Sequence, residues 1–86
     1  MFSKRIVNKG LIFELGREQK VPLHMFFVFY PIDVLYLDKD KKVIEMKQNF
    51  RPFTTYNPKN KCMYVIELPQ GTIEKTKTKI GHKIGY

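Results

Sequence analysis

The chain has 86 residues, enough for one small domain, and we expect a single domain spanning residues 1–86. Its composition excludes a disordered chain, because 43% of the residues are hydrophobic and 14% are aromatic. Sixteen Lys and Arg residues against eight Asp and Glu give a net charge of +8, which favours anionic partners such as nucleic acid. A lysine-rich soluble surface explains the same charge, and self-repulsion would then keep the chain monomeric.

Cysteine content and the length of the apolar segments address the cellular compartment. The chain has one cysteine, Cys62, so no intrachain disulfide can form and nothing indicates a secreted, disulfide-dependent fold. We expect Cys62 to be a small buried hydrophobic residue. The apolar run that begins at Leu23 is short for a transmembrane helix and is interrupted by Pro31. We therefore expect a cytoplasmic protein without a transmembrane segment or a secretory signal.

Apolar and turn-forming residues in the first half of the chain predict β-strands. A strand is predicted over 11–15, followed by a polar turn over 17–20. Pro31 disfavours one long helix through the central apolar run, because proline lacks a backbone donor and clashes with the preceding turn. The Phe, Val, Tyr and Ile content predicts two strands there, over 23–30 and 32–37, with a bend at Pro31.

The second half continues the mainly β pattern and ends with one short helix. Residues 38–42 predict a turn, 43–47 an antiparallel partner strand, 48–61 a polar loop and 62–68 another strand. In the loop, we expect three aromatic residues to pack against the body of the domain. These are Phe50, Phe53 and Tyr56.

The helix is predicted near residues 72–78. Thr72 is the expected N-cap, and Glu74 places a negative charge in the first turn, where it suits the helix dipole. A tight turn and a last short strand are expected over 80–84.

Several segments in order resemble DUF192, a family of unknown function. Residues 24–34 read His-Met-Phe-Phe-Val-Phe-Tyr-Pro-Ile-Asp-Val, are followed by Leu37-Asp38, and look like the signature of that family. Residues 64–72 resemble its V-[LI]-E-L-P-x-G-T segment, and Ile80-Gly81-His82 resembles its closing turn. The resemblance implies a small, mainly antiparallel β domain with barrel- or sandwich-like closure, and it implies no reaction.

The chain departs from the family pattern in two places. Members usually begin with an extra strand that leads into a G-L-M-F motif, and here Met1-Phe2 looks like the tail of that motif. A missing first strand would leave a sheet edge open, and whether another chain supplies it is left undecided. His82 stands where the closing turn usually carries Asp, which puts in doubt any role that needs a carboxylate there.

The first candidate for chemistry is Asp33 with His24. If the bend at Pro31 brings their strands together, the pair suits acid–base catalysis or metal binding, with His82 as a third ligand. Alternatively, Asp33 accepts backbone hydrogen bonds and braces the bend. Two histidines and one aspartate without a recognised spacing are a weak metal signal, so we expect neither a metal nor a cofactor.

The second candidate is a basic surface interleaved with aromatic residues, which is how single-stranded nucleic acid is held without sequence readout. The alternative is that the lysines are solvated and the aromatic residues belong to the core. The candidate polyanion-binding residues are Arg51, Lys59, Lys61, Lys75, Lys77, Lys79 and Lys83.

The third candidate is an acidic group formed by Asp38, Asp40 and Glu45. The two aspartates resemble part of a calcium loop but lack its glycine and distal glutamate, so aspartates that cap a turn are expected. No phosphate loop, nucleophile elbow or zinc motif is present, and enzymatic activity stays undecided. The favoured hypothesis is a non-catalytic binding or accessory module with a basic surface. The alternative is a metal-binding or hydrolase-like enzyme that uses Asp33, His24 and His82.

Overall fold

The computed structural model describes residues 3–7, 10–20, 23–24, 31–51 and 53–84. Those residues form seven strands and one short helix, so the predicted mainly β class with a helix near 72–78 is confirmed. The elements are β1 (Ser3–Val7), β2 (Gly10–Gln19), β3 (Leu23–His24), β4 (Ile32–Leu37), β5 (Val43–Phe50), β6 (Thr55–Tyr56), β7 (Cys62–Pro69) and α1 (Thr72–Thr76).

Five of the strands form one antiparallel sheet in the order β1-β2-β7-β4-β5. The last strand in sequence, β7, lies in the middle of the sheet and pairs with both β2 and β4. The two short strands β3 and β6 form a separate antiparallel pair. β7 therefore connects the β1-β2 hairpin to the β4-β5 hairpin, and the sheet is complete only when β7 has paired with both of them.

The sheet is covered on both faces, and β4 shows this most clearly because all six of its residues are buried. Its alternate side chains contribute to two different apolar clusters. The cluster on the face that we call the tyrosine face contains Leu15, Ile32, Val34, Tyr36, Phe50, Cys62 and Val65. The cluster on the opposite face, which we call the helix face, contains Ile12, Leu35, Leu37, Val43, Ile66 and Ile73.

The predicted turn over residues 17–20 is wrong, because β2 continues to Gln19. The chain bends at this point but does not reverse. Gly16 has a φ of 80°, in the left-handed region that glycine adopts at little cost, and the register against β7 shifts between Glu14 and Gln19. The polar residues that resemble a turn therefore belong to the exposed end of a bulged strand.

Two further predictions need different boundaries. The loop expected over 48–61 is shorter, since β5 continues to Phe50 and the loop contains β6. The last strand is reduced to one isolated bridge between Lys42 and Lys83. The strand predicted over 23–30 is described only at β3, and residues 25–30 lie outside the described residues, as do Met1 and Phe2.

Candidate functional site

Asp33 is a buried carboxylate that binds two backbone amides from distant parts of the chain. Only 1% of its surface is exposed. Its Oδ1 accepts a hydrogen bond from the amide of Asn49 in β5 at 3.0 Å, and its Oδ2 accepts one from the amide of Ile73 in α1 at 2.9 Å. These amides belong to β5 and α1, so Asp33 ties three elements together, whereas the sequence placed its partners at the bend around Pro31.

The first turn of α1 is capped by this carboxylate from the sheet, and the prediction that Thr72 is the N-cap is wrong. The N-cap position is Gly71, with a φ of 89°, and it makes no side-chain capping bond. The hydroxyl of Thr72 instead donates to the carbonyl of Pro69 at 2.6 Å. A carboxylate at this end satisfies a backbone N–H that has no partner within the helix and suits the helix dipole.

A bulge between β4 and β5 presents the amide of Asn49 to Asp33. The register of the two strands shifts between Ile32 and Val34. Asn49 has a φ of 52°, a left-handed conformation that asparagine tolerates better than most residues. Its side-chain oxygen accepts a hydrogen bond of 2.7 Å from Nε2 of Gln70, which links the bulge to the segment that precedes α1.

The structure separates Asp33 from His82, two of the three residues of the predicted metal or enzyme site. The carbonyl of His82 accepts a hydrogen bond from the amide of Val43 at the start of β5, and Asp33 binds the amide of Asn49 near its end. Six residues of extended strand span about 20 Å, so Asp33 and His82 lie far apart. The side chain of His24 lies outside the described residues, so its pairing with Asp33 stays a prediction.

The predicted polyanion-binding residues come from two separate parts of the chain. Arg51, Lys59 and Lys61 belong to the loop region after β5, where the backbone amide of Lys59 binds the carboxylate of Glu45. The others belong to α1 and the segment after it, whose Ile73 and Ile84 pack against the core of the helix face. These are Lys75, Lys77, Lys79 and Lys83, and polyanion binding by either group stays a prediction.

The loop between β5 and β7 is latched to the sheet by Glu45. One Glu45 oxygen accepts the hydroxyl of Tyr56, and the carboxylate also accepts the amide of Lys59 at 2.9 Å and the amide of Asn60 at 3.1 Å. Nδ2 of Asn60 adds a further bond at 3.0 Å. Only 8% of the surface of Glu45 is exposed, so these donors replace the water that burial removes.

This latch changes the acidity of the groups around it. Burial by itself raises the pKa of Glu45. The hydrogen bonds from Tyr56 and Asn60 outweigh this effect and lower the pKa of Glu45 below its ordinary value of 4.5. The hydrogen bond to Glu45, together with burial, raises the pKa of Tyr56 to about 12. Burial raises the pKa of Cys62 to about 11, so its buried thiol is protonated and unreactive at neutral pH.

Tyr36 lies beside this latch with its hydroxyl in an apolar setting. Its ring centroid is 5.9 Å from that of Tyr56. Among the described residues, the Tyr36 hydroxyl is the buried side-chain oxygen or nitrogen without a hydrogen-bond partner. Burial first, and then the nearby Tyr56 and Glu45, raise the pKa of Tyr36 well above the ordinary tyrosine value of 10.0. The hydroxyl is therefore held neutral.

Outside the latch, a groove of about 340 Å³ opens along the end of β5 and the loop after it. Of its eight described lining residues, Lys47 and Arg51 are basic and none is acidic. Nζ of Lys47 lies 5.7 Å from the ring centroid of Tyr56, in cation–π contact. The remaining described lining residues are Gln48, Asn49, Phe50, Thr54, Thr55 and Tyr56, and we call this site the basic groove.

Phe53 lies in the same loop but is not part of the buried core. Its side chain is 62% exposed, whereas Phe50 is buried and Tyr56 packs against the core as predicted. The backbone of Phe53 has a φ of 60°, which is uncommon for a bulky residue. The hydroxyl of Thr54 donates to the carbonyl of Arg51 at 2.5 Å and closes the turn around it.

Lys47 lines the basic groove but lies outside the predicted polyanion-binding set. In β5, a period of two places Lys47 on the same face as Glu45, and the loop folds over that face. The alternation of residues in β5 therefore predicts which face of the sheet Lys47 lies on. It does not predict that the loop after β5 folds over that face.

A second groove, of about 370 Å³, is lined by the ends of β2, β4 and β7. Its walls combine apolar residues such as Leu11, Pro31 and Leu68 with Glu67 and Gln70. No group of three or more His, Cys, Asp or Glu residues that suits a metal ion occurs in the described part of the chain. The described helix is also not of the length and apolar character that crossing a membrane requires.

Comparisons with known proteins give one family. The model of DUF192, described as "Uncharacterized ACR", matches residues 1–86. A UPF0127 protein of Thermococcus sibiricus is 38% identical over 82 residues, covering 93% of this chain and 53% of that protein. A UPF0127 protein of Pyrococcus abyssi is 36% identical over 87 residues, covering 99% of this chain and 74% of that protein. The chain thus spans about half the length of the Thermococcus relatives.

Two solved structures share the fold. A protein of unknown function from Novosphingobium aromaticivorans superposes with a TM-score of 0.82 at 20% identity, covering 95% of this chain and 61% of that one. A putative transcription regulator from Sinorhizobium meliloti gives a TM-score of 0.79 at 24% identity, covering 84% and 57%. At these identities, the likeness supports the fold alone.

Proposed function

The chain belongs to the DUF192 family, and we propose that it is a non-catalytic module that binds an anionic partner in the basic groove. The observation that carries the proposal is the charge of that groove: Lys47 and Arg51 line it, and none of the lining residues in the described part of the chain is acidic. The net charge of +8 adds a long-range attraction for anions. As part of the same proposal, residues 1–86 act as a single domain, and the protein is monomeric and cytoplasmic.

The buried carboxylates favour binding over catalysis. Asp33 accepts two backbone amides, and Glu45 accepts donors from Tyr56, Lys59 and Asn60. Their oxygen atoms are therefore engaged in holding the fold together. The groups presented to solvent by the basic groove are cations, hydroxyls and amides, which bind anions and carry out no general base catalysis at neutral pH.

The test is an NMR titration of the protein with inorganic polyphosphate at low salt. We expect shifts of the amides of residues 47–56, and we expect these shifts to weaken as salt is added. The variant Arg51→Gln removes one groove charge and should weaken binding. The matched control Lys39→Gln removes the same charge from the exposed turn between β4 and β5, at the other end of β5, and should bind as the original protein does.

Two results would overturn the proposal. One is the absence of any shift in residues 47–56 at low salt. The other is an equal loss of binding in Arg51→Gln and Lys39→Gln, because net charge alone, and not the groove, would then explain the attraction. Sedimentation at the same salt concentrations tests the monomeric state.

A further inference from the structure

We propose that the turn over residues 79–82 and the lysines around it bind a membrane surface of anionic lipid headgroups, with Ile80 inserted between the headgroups. This turn is fastened to the start of β5, whereas the basic groove lies at the end of β5. The inference therefore goes beyond the proposed function and does not depend on it. Membrane binding of this kind combines attraction of basic residues to anionic lipids with burial of an apolar group at the headgroup boundary.

Ile80 stands at the corner of a tight turn on the surface of the domain. The amide of His82 donates to the carbonyl of Lys79 at 3.1 Å and closes the turn. Ile80 is 57% exposed. Gly81, the next residue, has a φ of 93°, and a Cβ built there would meet no atom of a non-neighbouring residue within 4 Å. Turn corners favour proline, glycine and small polar residues, so an exposed isoleucine here is not explained by turn formation.

The start of β5 holds the turn in place, so the fold sets the exposure of its corner. The amide of Gly81 donates to the carbonyl of Val43 at 2.7 Å, and the amide of Val43 donates to the carbonyl of His82 at 2.8 Å. Nδ1 of His82 accepts the amide of Lys79 at 3.2 Å. Because the turn is already ordered, little conformational entropy is lost when it binds a surface.

Lysines from two segments surround this turn. Residues 38–42 and 74–84 together contain seven lysines against three carboxylates. The two segments meet at the antiparallel bridge between Lys42 and Lys83, which places their Cα atoms about 5 Å apart, and both residues are exposed. Clusters of about four to eight basic residues are typical of segments that bind anionic lipids. The lysine patch, as we call it, consists of the exposed residues Lys39, Lys42, Lys75, Lys77, Lys79 and Lys83.

The carboxylates in these segments leave the patch positive. Oδ1 of Asp38 accepts the amides of Asp40 and Lys42, at 2.8 and 3.0 Å, and so caps the turn before β5. Asp40 and Glu74 are exposed. Between residues 75 and 84, on either side of Ile80, the chain has four lysines and no carboxylate. The apolar corner is therefore flanked by cations alone within its own segment.

The apolar corner favours a membrane over a nucleic acid or an acidic protein. None of the lysine patch residues lines either of the two grooves described above, so the patch does not enclose a ligand. Ile80 has no aromatic face to stack on a base and no hydrogen-bonding group to read its edge. An exposed aliphatic side chain among cations is accommodated where anionic headgroups meet the acyl chains.

The experiment measures co-sedimentation of the protein with vesicles of phosphatidylcholine, either alone or mixed with phosphatidylglycerol, over a series of salt concentrations. Ile80→Ser removes the apolar corner without changing the charge, and Ile80→Leu keeps an aliphatic side chain. Lys79→Gln removes one charge beside the corner. Arg51→Gln is its matched control, because it removes one charge from the basic groove beyond the far end of β5. Far-UV circular dichroism checks that each variant is folded.

We expect the protein to bind the vesicles that contain phosphatidylglycerol more strongly than phosphatidylcholine alone, and to release them as salt is added. Ile80→Ser should weaken binding about 4- to 20-fold, which corresponds to burial of the exposed part of the side chain, whereas Ile80→Leu should bind like the original protein. Lys79→Gln should weaken binding about 5-fold. Arg51→Gln should change it less than about 2-fold at 0.1 M salt, where charges more than about 10 Å from the surface are screened.

The variant Ile80→Trp reports insertion directly, because the chain has no other tryptophan. Tryptophan is favoured at membrane interfaces, so this variant should still bind. Its emission should shift to shorter wavelength with the anionic vesicles and should be quenched by lipids that are brominated on the acyl chains. Binding without a shift or quenching would show that the corner stays in water, and insertion would be overturned.

The remaining outcomes separate this inference from the proposed function. If Arg51→Gln weakens vesicle binding as much as Lys79→Gln, net charge alone explains the binding and the lysine patch is overturned. If oligothymidine or poly-glutamate shifts the amides of residues 79–83 at lower concentration than anionic lipid does, the partner is a nucleic acid or an acidic protein. If the anionic vesicles do not bind at low salt, the inference fails, while shifts of residues 47–56 with polyphosphate would still support the proposed function.

Discussion

Asp33 joins β4, β5 and α1, and its replacement tests how far one carboxylate holds the fold. Removing its side chain leaves the amides of Asn49 and Ile73 without their partner in a site that is 1% exposed. A hydrogen bond to a charged group contributes about 1.5–3 kcal/mol, so two bonds lead us to expect that Asp33→Ala lowers the free energy of unfolding by about 3–6 kcal/mol. Stabilities of about 0.05–0.15 kcal/mol per residue put the whole domain near 4–13 kcal/mol, so this loss is a large fraction.

The isosteric variant Asp33→Asn keeps the shape and one acceptor oxygen. The amide nitrogen of the new asparagine then faces a backbone N–H, so two hydrogen-bond donors oppose each other. We expect the free energy of unfolding to fall by about 2–3 kcal/mol. Asp40→Asn is the matched control, because Asp40 is exposed in the turn between β4 and β5 and the same substitution there should cost less than about 0.5 kcal/mol.

The assay is urea unfolding followed by far-UV circular dichroism, since the chain has no tryptophan. Hydrogen exchange of the two amides gives a local readout: Asn49 and Ile73 should exchange faster in Asp33→Asn, while amides in the centre of β7 should follow the global loss of stability. If Asp33→Ala does not fold, Asp33→Asn carries the test. A loss of less than 1 kcal/mol in both variants, with both amides still protected, would show that Asp33 does not hold the three elements together.

Three further predictions concern the latch and the loop. Because the folded-state pKa of Glu45 is below 4.5, its contribution to stability is present above about pH 4.5 and is lost as the pH falls below it. Glu45→Gln should therefore make the free energy of unfolding, measured with urea, depend less on acidic pH. An unchanged dependence on pH would contradict the role of the latch. The thiol of Cys62 is buried and has a pKa of about 11, so at pH 8 it should react with an aromatic disulfide reagent only as the domain unfolds. The labelling rate should therefore rise with urea concentration. Labelling of the folded protein at the rate of a free thiol would contradict the burial of Cys62. Phe53→Gly should change the free energy of unfolding by less than about 1 kcal/mol, since relief of the left-handed strain offsets the added entropy of the unfolded chain and the contacts that the exposed ring loses. A loss above 2 kcal/mol would place the ring in the core.

Patterns between near neighbours in the sequence were sufficient for much of the fold. Alternation and composition predicted β4, β5 and β7, and Pro31 separated β4 from the apolar run before it. The turn at 38–42 was also predicted correctly, because Asp38 caps its own turn by accepting the amides of Asp40 and Lys42. These features depend on interactions between residues that are close in the sequence, so they can be predicted from the sequence alone.

The same local rules failed where a contact between distant residues decided the outcome. Thr72 fits the N-cap pattern, but the amide of Ile73 binds Asp33, which lies 40 residues earlier in the chain. The polar residues after Gly16 fit a turn, but pairing with β7 keeps them in β2. In both cases a long-range hydrogen bond replaced the local one that the pattern suggested.

Strand composition, the family motifs and the positive charge of this protein can all be read from the order of its residues. Folding brings particular charges together, because Lys47 in β5 and Arg51 in the loop after it line the same groove. Folding also leaves Phe53 exposed at 62%, whereas Phe50, three residues earlier, is buried. Charge and hydropathy belong to single residues, whereas a binding site depends on the distances that folding sets between them.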